Sequence, residues 1–187
     1  MASKYPFKPR FNKKAISKWA GRHSSEENVK AVSELPPIIK SKGFYSREEL
    51  QEFCYWKSPR TQSRVAQNPA DYVEAITRVA LSTPNERLRI EVLRLLHGVN
   101  WPSASVLLHF GHQEPYPILD FRALWSLGID NRQFTYNFDL WWEYTQFCRK
   151  LAQETGLSMR ELDRALWQYS KRNQKVLIKS SFLGASY

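Results

Sequence analysis

The strongest constraint on the fold is a series of helix-start signals, each followed by apolar residues at the helical period. Ser46 with Glu49 and Ser158 with Glu161 both form the Ser-x-x-Glu pattern of a capping box, in which side chains satisfy the free N–H groups of a helix start. The first predicts a helix through about Trp56. Asn68-Pro69 and Thr83-Pro84 predict two further starts, with Asn68 as cap and Pro69 in the first turn. Tyr72, Val73, Ile76, Val79 and Ala80 then share one side of a helix, and Leu88, Val92, Leu95 and Leu96 form a core stripe on the next. A helix from Pro102 turns Ala104, Leu107 and Leu108 inward, and a short one from about Leu119 to Leu127 ends at Gly128. Two longer helices follow, one carrying Leu140, Trp141, Tyr144, Phe147 and Leu151 up to Gly156, the other Leu162, Ala165, Leu166 and Tyr169. No segment alternates with the period of two that a half-buried strand requires. The expectation is an all-α fold, with a compact helical domain over residues 46–187. Residues 1–45, punctuated by Pro36-Pro37 and Gly43, read as a basic N-terminal extension, and the last fifteen residues carry no clear period.

Charge narrows the class of partner. A net charge of +10 draws a protein toward polyanions through long-range attraction and counterion release, so nucleic acid is the leading partner. Residues 1–22 hold Lys4, Lys8, Arg10, Lys13, Lys14, Lys18 and Arg22, no acid, and the interleaved aromatics Tyr5, Phe7, Phe11 and Trp19. This pattern suits an arm along phosphates with its rings on the domain or against bases, and it also suits a solvated tail. With 14% aromatic residues and seven Trp the chain has ample apolar material for a core. No stretch is long and apolar enough to span a bilayer or act as a secretory signal, so a soluble cytoplasmic protein is expected. Cys54 and Cys148 are too far apart and too few for a disulfide framework, a zinc site or an iron–sulfur cluster, and are expected to be buried thiols. His109 and His112 lack further ligands, so neither metal nor cofactor is expected. Nothing in the sequence calls for an obligate protein partner.

The informative stretch is residues 96–128. A tight turn at Gly98-Val99-Asn100 joins two helices, and Gly and Asn are the residues that best tolerate positive φ. Backbone N–H groups at such a turn, aimed toward a helix start, can hold a phosphate with no side chain required. The same turn also serves as an ordinary helix–helix connection.

Here the sequence resembles the helix-hairpin-helix DNA glycosylases, the superfamily of endonuclease III and the adenine glycosylase. Their hairpin typically reads Leu-Pro-Gly-Val-Gly, two variable residues, then Thr-Ala, with an Asp farther along the chain. Leu96, Gly98, Val99 and Ala104 match it, Ser103 stands for Thr, and Asp120 in Pro117-Ile118-Leu119-Asp120 falls at the expected distance. The match covers residues 96–128, with His97 in place of the usual Pro and Asn100 in place of the second Gly. Bifunctional members carry a nucleophilic Lys just after the hairpin, where this chain has Pro102, and no lysine occurs between Arg60 and Arg149. The four-cysteine cluster and the acidic general acid of the adenine glycosylases also lack counterparts.

The resemblance implies a monofunctional DNA N-glycosylase, a hydrolase without lyase activity that flips and excises a damaged, mismatched or modified base. Such an enzyme works in DNA repair or in antiviral defence against foreign modified DNA. Breaking an N-glycosidic bond builds positive charge on the sugar, which a carboxylate at Asp120 would stabilise while orienting water. Double-stranded DNA would meet Gly98, Val99, Asn100, Trp101 and Ser103 of the hairpin, with Lys57 and Arg60 on a phosphate-contacting loop. Tyr55, Trp56 and Tyr116 are candidates for the base pocket or the wedge that fills the gap of a flipped base. The alternative is a non-catalytic helix-hairpin-helix DNA-binding protein in which Asp120 only caps a helix. A third reading is a helical RNA-binding protein using the basic arm.

Overall fold

The computed structural model of the chain describes residues 4–21, 30–130 and 134–174; Arg22 and the C-terminal residues from 175 on lie outside them. The described residues are all-α, with no strand among them. The helices are α1 (Ile16–Ala20), α2 (Lys30–Ser33), α3 (Leu35–Lys42), α4 (Arg47–Lys57), α5 (Gln62–Val65) and α6 (Ala70–Ser82). After them come α7 (Glu86–Leu93), α8 (Trp101–Gly111), α9 (Phe121–Ser126), α10 (Phe138–Thr155) and α11 (Met159–Asn173). Short 3-10 turns precede α1 and α5.

α8 is the central helix because it is buried nearly all round, including Ser103, Ala104, Ser105, Val106, Leu107, Leu108, Phe110 and Gly111. α3, α4, α6 and α7 pack around it. Tyr45, fully buried, donates its hydroxyl to the Leu107 carbonyl at 2.7 Å, and a Cβ on Gly111 would stand only 2.6 Å from its ring. α11 carries α1 and α9 on its sides and touches α10, whose buried face includes Leu140, Trp141, Tyr144 and Leu151.

Both capping boxes form, at Ser46/Glu49 and Ser158/Glu161, and α10 ends at Gly156 in the left-handed region (φ 69°). Several local expectations need correction. Asn68 does not cap α6, which starts from Pro69 with no side-chain cap, because the Asn68 amide is spent on the hairpin. Of the stripe expected on α7 and its continuation, Val92 and Leu96 are buried, but Leu88 and Leu95 are 45% and 59% exposed, and Ile90 and Leu93 are buried as well. The helix stops at Leu93 and continues in i→i+3 bonds from Arg94, Leu95 and Leu96, which turns Leu95 off the expected stripe. Tyr72 and Val79 on α6 are likewise exposed at 39% and 41%, leaving Val73, Ile76, Thr77 and Ala80 as its buried face. Finally, Pro36-Pro37 opens α3 rather than interrupting the chain, since proline fits a first helical turn where its missing N–H costs nothing.

The N-terminal residues lie along the helical body. Lys8 and Arg10 donate their N–H groups to the carbonyls of Leu127 and Ser126 at 2.7 and 2.9 Å, and Ile16 is buried. Phe7 packs against Tyr144 and Phe147, and Phe11 and Trp19 against Tyr169. Lys4, Arg10 and Lys13 pair with Asp139, Asp130 and Glu154. No helix of the described residues is long and apolar enough to cross a membrane.

Candidate active site

The hairpin between α7 and α8 is built by Gly98 and held by Asn68. Gly98 has φ 79°, a conformation that side chains disfavour, and a Cβ there would meet Val65 Cγ2 at 2.8 Å and the Val65 backbone N at 3.1 Å. Glycine is therefore required twice, for conformation and for the close approach of α5. Asn68 grips the residue before it on both sides: its Nδ2 donates to the His97 carbonyl at 3.0 Å and its Oδ1 accepts from the His97 N–H at 2.8 Å. Asn100 departs from its expected conformation. It is extended (φ −116°, ψ 179°) and caps α8, its Oδ1 accepting from the Trp101 N–H at 2.9 Å. Its value is the capping carbonyl of the side chain, not tolerance of positive φ. The Val99 N–H bonds back to Leu96, while those of Gly98 and Asn100 make no hydrogen bond among the described residues.

A cleft of about 590 Å³ opens beside this turn, a volume within the range of small-molecule sites. One wall is the end of α4 and the turn into α5, with Lys57, Ser58, Arg60, Thr61 and Arg64. The other comprises the hairpin and start of α8 with Asp120, Phe121 and Tyr136, and Arg94 also lines the cleft. Lys57 and Asp120, sixty-three residues apart in sequence, meet here at 2.7 Å, their side chains 16% and 14% exposed. Asp120 uses its two oxygens differently. Oδ1 caps α9 by accepting from the Arg122 N–H at 2.8 Å, and Oδ2 takes the Lys57 ammonium. Arg60, Arg64 and Arg94 are exposed and have no acidic partner among the described residues, although Arg94 stacks over Trp101 at 4.5 Å. Elsewhere Arg10, Arg78, Arg87, Arg89 and Arg160 each hold a carboxylate.

The segment that carries Asp120 is fixed from below. Ser105 Oγ donates to the Pro102 carbonyl at 2.7 Å and accepts from the Leu119 N–H at 2.8 Å, tying the start of α8 to the Asp120 loop. Tyr144 Oη donates to the Ile118 carbonyl at 3.1 Å, and the buried Asp163 accepts from the Ile118 N–H. Burial pushes the Asp163 carboxyl up to about 6, although Arg160 lies 3.1 Å away and opposes the shift. His109 Nδ1 stands 2.6 Å from the Tyr116 carbonyl and must donate to it, since a carbonyl only accepts. Burial, reinforced by repulsion from Arg160, pushes the imidazole down to about 3 and keeps it neutral in that role.

Of the hairpin residues, Gly98, Val99, Asn100 and Ser103 line the cleft together with Lys57, Arg60 and Asp120. Trp101 does not; it is 5% exposed and packs beneath Arg94. Nor do the aromatic candidates. Tyr116 is fully buried, stacks on Trp141 at 5.7 Å and donates to Glu86 at 2.8 Å. Trp56 packs edge-on against Phe110, and Tyr55 is exposed away from the cleft lining. Phe121 and Tyr136 stand on the cleft wall instead, and neither was singled out by the sequence. The one sequence signal for Phe121 is its position next to Asp120. His109 and His112 serve the packing of the loop, and the described residues hold no cluster of three metal-binding side chains. Cys54 and Cys148 are buried thiols, and burial pushes Cys54 up to about 12.

No protein-family description and no curated protein matches the chain. Among solved structures, an 8-oxoguanine glycosylase/lyase of Methanocaldococcus jannaschii, in complex with a 15mer DNA containing 8-oxoguanine, is similar. It has 22% identity and a TM-score of 0.42, with 88% of this chain and 81% of that chain covered.

Proposed function

We propose that the chain is a DNA glycosylase that extrudes one nucleotide from a duplex and hydrolyses its N-glycosidic bond with the aid of Asp120. The observation that carries this reading is the placement of the Lys57–Asp120 pair in a cleft bordered by free hairpin amides and by three arginines without acidic partners among the described residues. Arginines uncommitted to protein carboxylates are available to phosphate oxygens, which they bind in fork geometry. The Gly98 and Asn100 amides add neutral donors for the same backbone. Within the cleft, a carboxylate faces the positive charge that develops on the sugar as the base departs and orients the water that replaces it. Lys57 holds Asp120 in place and balances its charge while the cleft is empty of substrate. As an ammonium ion it has no lone pair for attack, which favours simple hydrolysis.

The same 2.7 Å contact favours a second reading. An amine beside the reacting sugar that passes its proton to Asp120 can attack C1′ and displace the base, which leaves with that proton; the sugar then opens to a Schiff base, and elimination of the 3′ phosphate cuts the strand. α4 would supply the lysine that the hairpin lacks. The two readings part on product. A panel of duplexes, each bearing one damaged, mismatched or modified base, is incubated with the protein and the released base identified by mass. Hydrolysis leaves an intact strand with an abasic site that breaks only in alkali or heat, and borohydride traps nothing. Efficient borohydride trapping, lost in Lys57→Ala, would establish the second. No base released from any duplex, with tight duplex binding, would point to a binding module in which Asp120 only caps α9.

A further inference from the structure

Tyr136 lines the cleft beside Asp120, yet no contact among the described residues requires its hydroxyl. The ring is half-buried and packs edge-on against Phe134 at 5.2 Å. The fully buried tyrosines all have partners: Tyr45 donates to Leu107, Tyr116 to Glu86 and Tyr144 to Ile118. The Tyr136 hydroxyl makes no hydrogen bond among the described residues. A hydroxyl with no partner among the described residues, set on a cleft wall, is free to donate to an acceptor atom of a ligand bound there.

We propose that Tyr136 donates its O–H to an acceptor atom of the extruded base and stabilises the charge that base acquires as it leaves, the inference resting on the base-excision reading above. Asp120 and Tyr136 would then bracket the scissile bond. As C1′–N breaks, the electron pair goes to the base and positive charge is left on the sugar, where Asp120 faces it. Water adds to C1′, and the proton it gives up neutralises the base. The phenol thus begins and ends the cycle protonated. Burial and the negative charge of Asp120 push the phenol up to about 12, which keeps it a donor at neutral pH. A fixed donor aimed at developing charge contributes about 100- to 1,000-fold to rate in other enzymes.

The role predicts a dependence on the leaving group that a packing role does not. Uracil and hypoxanthine depart with negative charge, whereas 7-methylguanine, already cationic in the nucleotide, departs neutral. Single-turnover base release from duplexes carrying each is compared between the wild type and Tyr136→Phe, with melting temperature and duplex affinity confirming that the ring still packs. The expected result is a loss of about 100-fold for uracil or hypoxanthine and of less than about 3-fold for 7-methylguanine. If only the neutral bases are substrates, a loss of at least about 10-fold at unchanged duplex affinity supports the donor. Equal loss on both classes, no loss on either, or a wild type that accepts only 7-methylguanine would overturn it. A wild type that releases none of the three, nor any base from the broader panel, would overturn the excision reading and this inference together. Release by the wild type with no leaving-group effect of Tyr136→Phe would overturn this inference alone.

Discussion

The two walls of the cleft are built on opposite plans. On the Asp120 wall, the backbone of residues 116–119 is tied to α8, α10 and α11 by His109, Ser105, Tyr144 and Asp163. Each partner is buried or half-buried, so the carboxylate is set in position before any ligand arrives. On the facing wall, apart from the ion pair of Lys57 to Asp120, the bonds are short-range, from Thr61 to Ser58 and along the turn into α5, and Arg60 and Arg64 extend into solvent with no acidic partner among the described residues. One wall fixes a reacting group, where small displacements are costly to rate. The other presents charge to a backbone whose position changes with sequence and bend. Gly98 lies where the two meet, against Val65.

The largest expected effect is on the fixed wall. Asp120→Asn retains size and a capping oxygen but removes the charge, so base release falls by about 100- to 1,000-fold or more in single-turnover assays. Duplex affinity holds or rises as a negative charge leaves the cleft. Unchanged release by this variant would remove Asp120 from the chemistry.

For the arginines of the facing wall, together with Arg94 at the end of α7, the signature is salt dependence. Replacing Arg60, Arg64 and Arg94 by Ala lowers the slope of log affinity against log salt by roughly 0.9 for each phosphate that is no longer neutralised. Once duplex is saturating, the rate of the bound step changes little. A slope that does not move would assign phosphate binding to other residues.

Gly98→Val tests the junction. Positive φ and the 2.8 Å approach to Val65 together predict strain of about 1–3 kcal/mol or more and weaker duplex binding at unchanged helix content, read by circular dichroism and titration. The smallest effect belongs to Ser105→Ala, which strips the buried Leu119 N–H of its acceptor at a cost of about 1–3 kcal/mol. Its melting temperature should fall and its bound-step rate drop, with the salt slope unaltered. A change in slope instead would mean that the hairpin and the Asp120 loop are not separate devices.

Much of this arrangement was legible in the sequence because it is local. The turn at Gly98, the capping boxes and an Asp at a helix start are written in short runs, and Lys57 and Arg60 flank a helix-breaking Pro59. What the sequence conceals is pairing across long separations. Nothing near Tyr116 reveals that Glu86 waits thirty residues upstream for its hydroxyl, so the residue stands as a pocket candidate even though core is the commoner place for such a ring. Tyr136 sits between Gly128 and Asn137 in a stretch with no period at all. Arg94 was hidden for another reason: α7 ends one residue earlier, and a helix drawn straight through it points its side chains wrongly. Asn68 misled because asparagine before proline is a good helix start, and here a tertiary bond outcompetes the local one.

That same dipeptide has a consequence for how the protein ages. An asparagine side chain is lost over time when the N–H of the following residue attacks its amide to form a succinimide, and proline has no N–H to attack with. The double grip of Asn68 on His97 therefore rests on an asparagine shielded by its own neighbour, Pro69, from the commonest spontaneous damage to that residue. Prolonged incubation at mildly alkaline pH, followed by peptide mass analysis, should find Asn68 intact, and conversion to Asp there would show the shield to be ineffective. The turn is thus held by an amide with an unusually long chemical lifetime.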